Sequence, residues 1–172
     1  MQPATPVAVT ESAIQIEAVD FSRPAHCEAL VMLLDEYAQS AEGGATPLAP
    51  AVRDRICTVL AMRPHYAGWL AFHSTRPVGL INCFEGVSTF RAQPLLNVHD
   101  IVVSATHRRQ GIGAQLLARA EQHARKRGCC KLTLEVLEGN GAALAVYARS
   151  GFRPYELDPA MGRALFLEKK FF

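Results

Sequence analysis

The chain has 172 residues, 49% of them hydrophobic and 20% charged, and a formal net charge of +2. That length suits one domain with a sizeable core, and no apolar run approaches the ~20 residues that a membrane-spanning helix needs. So small a net charge gives no footing for nucleic-acid binding, although Arg108, Arg109, Arg119, Arg125, Lys126 and Arg127 gather positive charge in one region.

Residues 1–12, MQPATPVAVTES, lack the charged start and apolar centre of a secretory signal and read as a flexible lead-in, with the domain expected over residues 13–172. Residues 13–19, AIQIEAV, alternate as a strand does. Pro24 opens a helix whose Cys27, Leu30, Val31, Leu34 and Tyr37 share a face. SAEGGATPLAP reads as a loop, and AVRDRICTVLAMR as a second helix ending before Pro64. AGWLAFHS, the turn STRP and VGLINCFEGVSTF form a predicted hairpin, followed by a third apolar run, LLNVHDIVVS. After THRRQGIG comes a helix to Gly128, then the strand formers KLTLEVLE, then GNGAALAVYARSGF, a short helix with Gly151 as its C-terminal cap. FRPYELD and ALFLEKKF read as closing strands. The resulting order of strands and helices predicts an α/β domain around a mixed sheet with antiparallel and parallel parts.

The stretch THRRQGIG poses a question, because each glycine costs a helix about 1 kcal/mol relative to alanine. A strand entering a glycine-containing turn and then a helix makes an anion site, since orphan amides and the positive end of the helix dipole face one point. Gly111 and Gly113 would let the backbone approach a phosphate closely. Neither the dinucleotide G-x-G-x-x-G pattern nor the triphosphate G-x-x-x-x-G-K-S/T pattern is present. A pyrophosphate held mainly by main chain, with Arg108 or Arg109 adding charge, is the remaining reading.

Arg108-Arg109-Gln110-Gly111-Ile112-Gly113 matches the R/Q-x-x-G-x-G/A acetyl-CoA signature, and the chain resembles the GNAT superfamily of N-acetyltransferases. HDIVVSATHRRQGIGAQLL is similar to that family's fourth strand, pyrophosphate loop and third helix, and NGAALAVYARSGF to its N-x-x-A-x-x-x-Y-x-x-x-G-F segment. LLDEYAQ and VSTFRAQPLLNVHDIVV resemble the diamine and thialysine acetyltransferase subgroup. That subgroup often carries Glu-Asp where this chain has His99-Asp100, one carboxylate fewer for a cationic acceptor.

The resemblance implies a single-domain GNAT fold, mostly antiparallel, with splayed fourth and fifth strands. It implies acetyl-CoA as co-substrate, no metal, a small-molecule amine as acceptor and a possible homodimer. Main-chain groups of Ile101, Val102 and Val103 would pair with the pantetheine and acetyl carbonyl. Arg108, Arg109, Gln110, Gly111, Ile112, Gly113 and Ala114 would hold the pyrophosphate, and Asn140 and Ala143 would contact the coenzyme further on. Tyr147 would protonate the departing thiolate and also border the coenzyme. The competing readings are a non-catalytic acyl-CoA-binding regulatory module and a protein N-terminal or lysine acetyltransferase.

Acetyl transfer to an amine needs a neutral amine, a polarised carbonyl and a protonated leaving thiol. A tyrosine hydroxyl suits the last task, while a core aromatic on a short helix is the plainer account of Tyr147. Strict alternation puts His99 on the face opposite Asp100, where it can accept the ammonium proton, or else serve only as a hydrogen-bonding residue of the sheet. Asp100 can orient the amine, cap a loop or pair with an arginine. Glu85 is a further candidate for the acceptor pocket, or an exposed hairpin carboxylate. Cys27, Cys57, Cys83, Cys129 and Cys130, an odd number without metal-ligand spacing, read as reduced thiols of a cytoplasmic protein, the last two as small buried hydrophobes.

Overall fold

The structure, a computed structural model, describes residues 13–156, 158–162 and 164–171. The lead-in over residues 1–12 lies outside the described residues.

β1 (Ile14–Ala18) is followed by α1 (Pro24–Ala38) and α2 (Pro50–Ala61), each entered by a proline that pre-sets the first helical turn. β2 (Tyr66–His73) and β3 (Arg76–Ser88) make the predicted hairpin, and β4 (Gln93–Val103) returns along β3. α3 (Ile112–Lys126) crosses over to β5 (Leu132–Leu134), and α4 (Gly141–Arg149) follows. The strands lie in sequence order, β1-β2-β3-β4-β5. All pairs are antiparallel except β4 with β5, which the α3 crossover makes parallel.

Two apolar layers cover the sheet. α3 lays Ile112, Leu116, Leu117, Ala120 and Ala124 on one face, against Val78, Ile81, Cys83, Leu96 and Val98. The helix sits close because β3 carries Gly79 beneath it: a Cβ there would come to 3.1 Å from both Ile112 Cγ2 and Leu116 Cδ1. Leu116 is fully buried, and its truncation to alanine would cost about 2–5 kcal/mol. On the opposite face α1 and α2 bring Ala29, Leu30, Leu33 and Leu60 onto Leu70, Phe72, Leu80 and Val102.

α3 ends as read, with Gly128 left-handed at φ 72° and His123, Arg125 and Lys126 in the last turn, where positive charge suits the dipole. Gly151, at φ 88°, closes α4.

The expected closing strands are not formed by the described residues. Residues 152–156 follow α4 directly, Pro154 has no amide to give a ladder, and Arg153 Nη1 is engaged by the carbonyls of Ala148 and Phe152. Residues 164–171 carry no strand either, and Leu165, Phe166, Leu167 and Phe171 stay exposed. The expected fifth strand, KLTLEVLE, shortens to three residues, so the edge it offers to a further strand is correspondingly short.

Candidate active site

β4 is two strands in one. Its first half is held on both sides: Leu96, Asn97 and Val98 face Leu132, Thr133 and Leu134 of β5 as well as β3. Asn97 Nδ2 adds a bond to Thr133 Oγ1 at 3.2 Å. Beyond Val98 the pairing with β5 stops, while β3 continues alongside through Val103 opposite Gly79. The cleft that opens there has an unpaired main-chain edge. The Ser104 amide donates to Val78 O at 2.9 Å, so by antiparallel alternation Val102 also turns its peptide groups to β3, and those of Ile101 and Val103 face the cleft. The Val102 side chain lies in the α1 layer.

A bulge marks the point of divergence. Cys83 faces Val98 and Asn82 faces Asp100, leaving His99 as the extra residue. At a bulge both residues opposing the single partner stand on its side of the sheet. The contacts agree: the His99 ring meets Phe84 edge-on at 5.4 Å, and Asp100 Oδ2 accepts from Asn82 Nδ2 at 3.0 Å. The expectation that His99 and Asp100 point to opposite faces is therefore corrected. They share the α1 face, with His99 exposed and Asp100 half-buried.

At the far end of β4, a 3-10 turn over Ala105–His107 leads into the glycine loop. The Ala105 amide donates to Glu36 Oε1 of α1 at 2.8 Å, and Arg108 Nε donates to Val103 O at 3.3 Å. Arg109 is left-handed at φ 63° and Gly111 at φ 78°. Such turns aim successive amides into a concavity suited to an anion, and an arginine held left-handed is strain of the kind that collects at functional sites. α3 has no side-chain cap and no acidic residue in its first turn. Its first backbone bond runs from Gln115 N to Gly111 O at 3.1 Å, so the amides of Ile112, Gly113 and Ala114 have no intrahelical acceptor. Gly113 is not demanded by packing, because a Cβ there would meet only Val103 Cγ2 at 3.8 Å. Bare backbone at this point serves something outside the fold.

Across the cleft, Asn140 caps α4, its Oδ1 accepting from the Ala143 amide at 3.1 Å. Tyr147 packs half-buried on the α3-side core with its ring 5.9 Å from that of Phe152. Burial pushes its hydroxyl above the usual tyrosine range, with a smaller contribution from Tyr37, so it stays protonated at neutral pH. Tyr37 of α1 is itself raised by burial and then by Asp100, which puts its phenol within electrostatic reach of both groups.

Glu85 is not part of this constellation. It extends to the α3 side, where Arg127 grips both oxygens at 3.0 and 3.3 Å and holds the carboxyl below the usual glutamate range. A side chain two residues from Cys83 and three from Asn82 must follow the former's face. The five cysteines are free thiols, and burial raises Cys57 and Cys83 to about 12, far from a nucleophile's needs. Among the described residues no three His, Cys, Asp or Glu side chains gather as metal ligands, and no helix is long and apolar enough to cross a membrane. A groove of about 430 Å³ lies between α1 and the loop, lined by Met32, Asp35, Glu36, Gln39, Ser40, Ala105 and Arg108. It shares Glu36, Ala105 and Arg108 with the turn described above and none of the lining with His99, Asp100, Asn140 or Tyr147.

The model of the Acetyltransferase (GNAT) family matches residues 28–152, from α1 to the end of α4. The chain belongs to the GNAT family. Streptothricin acetyltransferase of Streptomyces lavendulae is 40% identical over 78 residues, 45% of this chain and 41% of its own length. N-alpha-acetyltransferase MAK3 of Arabidopsis thaliana is 38% identical over 86 residues, 49% and 43% of the two chains. The chain thus spans less than half the length of either curated relative. AAC(6')-Iy in complex with the bisubstrate analog CoA-S-monomethyl-acetylneamine superposes with a TM-score of 0.72 at 17% identity, covering 92% of this chain and 99% of that one. The splayed β4 and β5, the glycine loop and α4 are therefore elements of a GNAT fold. Glu36, Tyr66 and Asn82, which the structure ties to Ala105 and Asp100, are not singled out by the sequence reading, and Tyr37 enters it only as one position of a helix face.

Proposed function

We propose that the protein transfers the acetyl group of acetyl-CoA to a primary amine of a small molecule by direct attack in a ternary complex. The observation that carries this reading is the open edge of β4. Past the end of the pairing with β5, Ile101 turns its peptide groups and Val103 its amide to the cleft, the Val103 carbonyl being held by Arg108 Nε.

The residues present fit the coenzyme: orphan amides, two arginines, no first-turn carboxylate and room at Gly113. In this reading residues 108–114 hold the pyrophosphate, and the cleft edge at Ile101 and Val103 takes the pantetheine and the acetyl carbonyl. Val102, turned to β3, contributes packing. Asn140, whose oxygen is spent on Ala143, has its amide nitrogen to offer. Acetyl-CoA supplies an activated acyl group and a thiol leaving group. His99 accepts a proton from the incoming ammonium, directly or through water, and the bulge that exposes it also puts Asp100 beside it to orient the amine. Tyr147 keeps its proton until the thiolate departs, then delivers it.

The streptothricin-acetylating relative supports a small-molecule acceptor, and the LLDEYAQ resemblance supports an acceptor of the diamine or thialysine type. The protein N-alpha-acetyltransferase relative favours a second reading, in which the amine is a polypeptide N-terminus. A cytoplasmic location and a homodimer are part of the proposal and follow from the family resemblance. Thiol release from acetyl-CoA, followed with 1,4-diaminobutane, streptothricin and an N-terminal tetrapeptide, tests it. Turnover with either small amine and not the peptide is expected. Turnover with the peptide alone replaces the acceptor class, and coenzyme binding without turnover on any amine favours a regulatory module.

A further inference from the structure

Asn82 is almost wholly buried in the middle of β3, 1% exposed, between Gly68 of β2 and Asp100 of β4. A buried amide must have partners for both ends or cost about 1–3 kcal/mol. Its oxygen accepts from the Tyr66 hydroxyl at 2.8 Å, and its nitrogen donates to Asp100 Oδ2 at 3.0 Å. Tyr66 reaches it only because residue 68 is a glycine: a Cβ there would collide with the Tyr66 hydroxyl and Cζ. Burial pushes the Tyr66 hydroxyl well above the usual tyrosine range, so it acts as a donor throughout the neutral range. With Tyr66 donating to the oxygen, the amide has one orientation, and its N–H must point at Asp100. The opposite orientation would set Oδ1 against a carboxylate. One carboxylate oxygen is thereby occupied and the group is fixed in rotation. Oδ2 is the oxygen so held, the carboxylate is within electrostatic reach of Tyr37, and the adjoining His99 packs edge-on against Phe84.

We infer that Gly68, Tyr66 and Asn82 form a positioning chain that presents Asp100 to the acceptor, making Asp100 the ligand of a cationic amine. The inference rests on the amine-acetylating reading above and names the part of the site that recognises the ammonium. Asn82 and Tyr66 act through Asp100 and touch neither coenzyme nor acyl carbon.

The test is steady-state kinetics on the full chain with 1,4-diaminobutane and with streptothricin, varying each amine and acetyl-CoA in turn. Asn82→Leu should raise the amine KM about tenfold, the loss expected for a charge-assisted hydrogen bond, with the acetyl-CoA KM within twofold of wild type. Tyr66→Phe and Gly68→Ala should each raise the amine KM about threefold, the second while keeping its tyrosine. In an Asp100→Asn background none of the three should raise it further, because the group they position is gone. Tyr66→Phe alters one buried atom and keeps the test available if Asn82→Leu does not fold. Unchanged amine KM in Tyr66→Phe and Gly68→Ala, or equal effects in the Asp100→Asn background, would overturn the chain while leaving acetyl transfer standing. A wild-type protein that neither binds nor acetylates either amine would instead overturn the small-amine reading on which the chain depends.

Discussion

The two ends of the cleft are built from different materials. In the proposed reading the coenzyme end is main chain: left-handed turns at Arg109 and Gly111, uncapped amides of α3, and the β4 edge at Ile101 and Val103 where β5 departs. In that reading the acceptor end is side chains, with His99 and Asp100 brought to one face by a bulge and Asn82 and Phe84 of β3 in contact with them. Main chain recognises what every member of a family shares, since any sequence that makes the turn makes the amides. Side chains can be exchanged without disturbing the turn, so the acceptor end is where one chain differs from another.

The largest expected effect tests the boundary between the two ends. Tyr147→Phe removes a hydroxyl and almost no packing, and kcat should fall roughly 10²-fold, with acetyl-CoA affinity near native by calorimetry. A kcat within twofold of wild type would return Tyr147 to the core. Next, Gly113→Val should weaken acetyl-CoA binding tenfold or more, about 1.4 kcal/mol. Its melting temperature should hardly move, because the added Cβ meets only Val103. Native affinity in that folded variant would break the main-chain account of the coenzyme end.

His99→Ala should act on the acceptor end alone. A several-fold fall in kcat/KM for the amine is expected, together with loss of an acid-side limb in the pH profile, because only the neutral imidazole can take a proton. The limb must stay fixed when the amine is changed. One that tracks each amine's own ionisation belongs to the substrate, and His99 would then be a sheet residue.

The smallest effect concerns a carboxylate at neither end. Arg127 holds the Glu85 carboxyl below its ordinary 4.5, so the pair's stabilisation is present above that value and is lost as pH falls through the lower folded value. Glu85→Gln should leave the amine KM unchanged and flatten the loss of stability below about pH 4.5, read by denaturant melts.

How much could be read from the sequence follows the same division. The strand, turn and helix of the proposed coenzyme end were legible because they are contiguous: β4, R-R-Q-G-I-G and α3 follow one another between Gln93 and Lys126, and Gly111 answers a left-handed turn. Of the proposed acceptor end, His99 and Asp100 were candidates from the sequence, but their shared face and the residues around them were not legible. Tyr37, Tyr66 and Asn82 come from three elements, and each reads singly as core or as a helix position. The bulge had a signal that strict alternation overlooks: the α3-facing apolar residues run Leu96, Val98, then Ile101, Val103, slipping phase by one at His99-Asp100. The closing strands failed for another reason. Alternation in ALFLEKKF states what a segment would do given an edge, and a three-residue β5 supplies little of one.

The extra residue at position 99 has a consequence for how this strand tolerates change in length. Val98 and Asp100 already occupy consecutive rungs against Cys83 and Asn82. Removing His99 outright would therefore join two segments that are in phase, and every other side chain of β4 would keep its face. Removing Asp100 would leave the strand in phase as well, with the imidazole in the carboxylate's place, because the two residues share a face. The His99-Asp100 pair is thus a place where β4 can shorten by one residue and keep every other side chain in its layer.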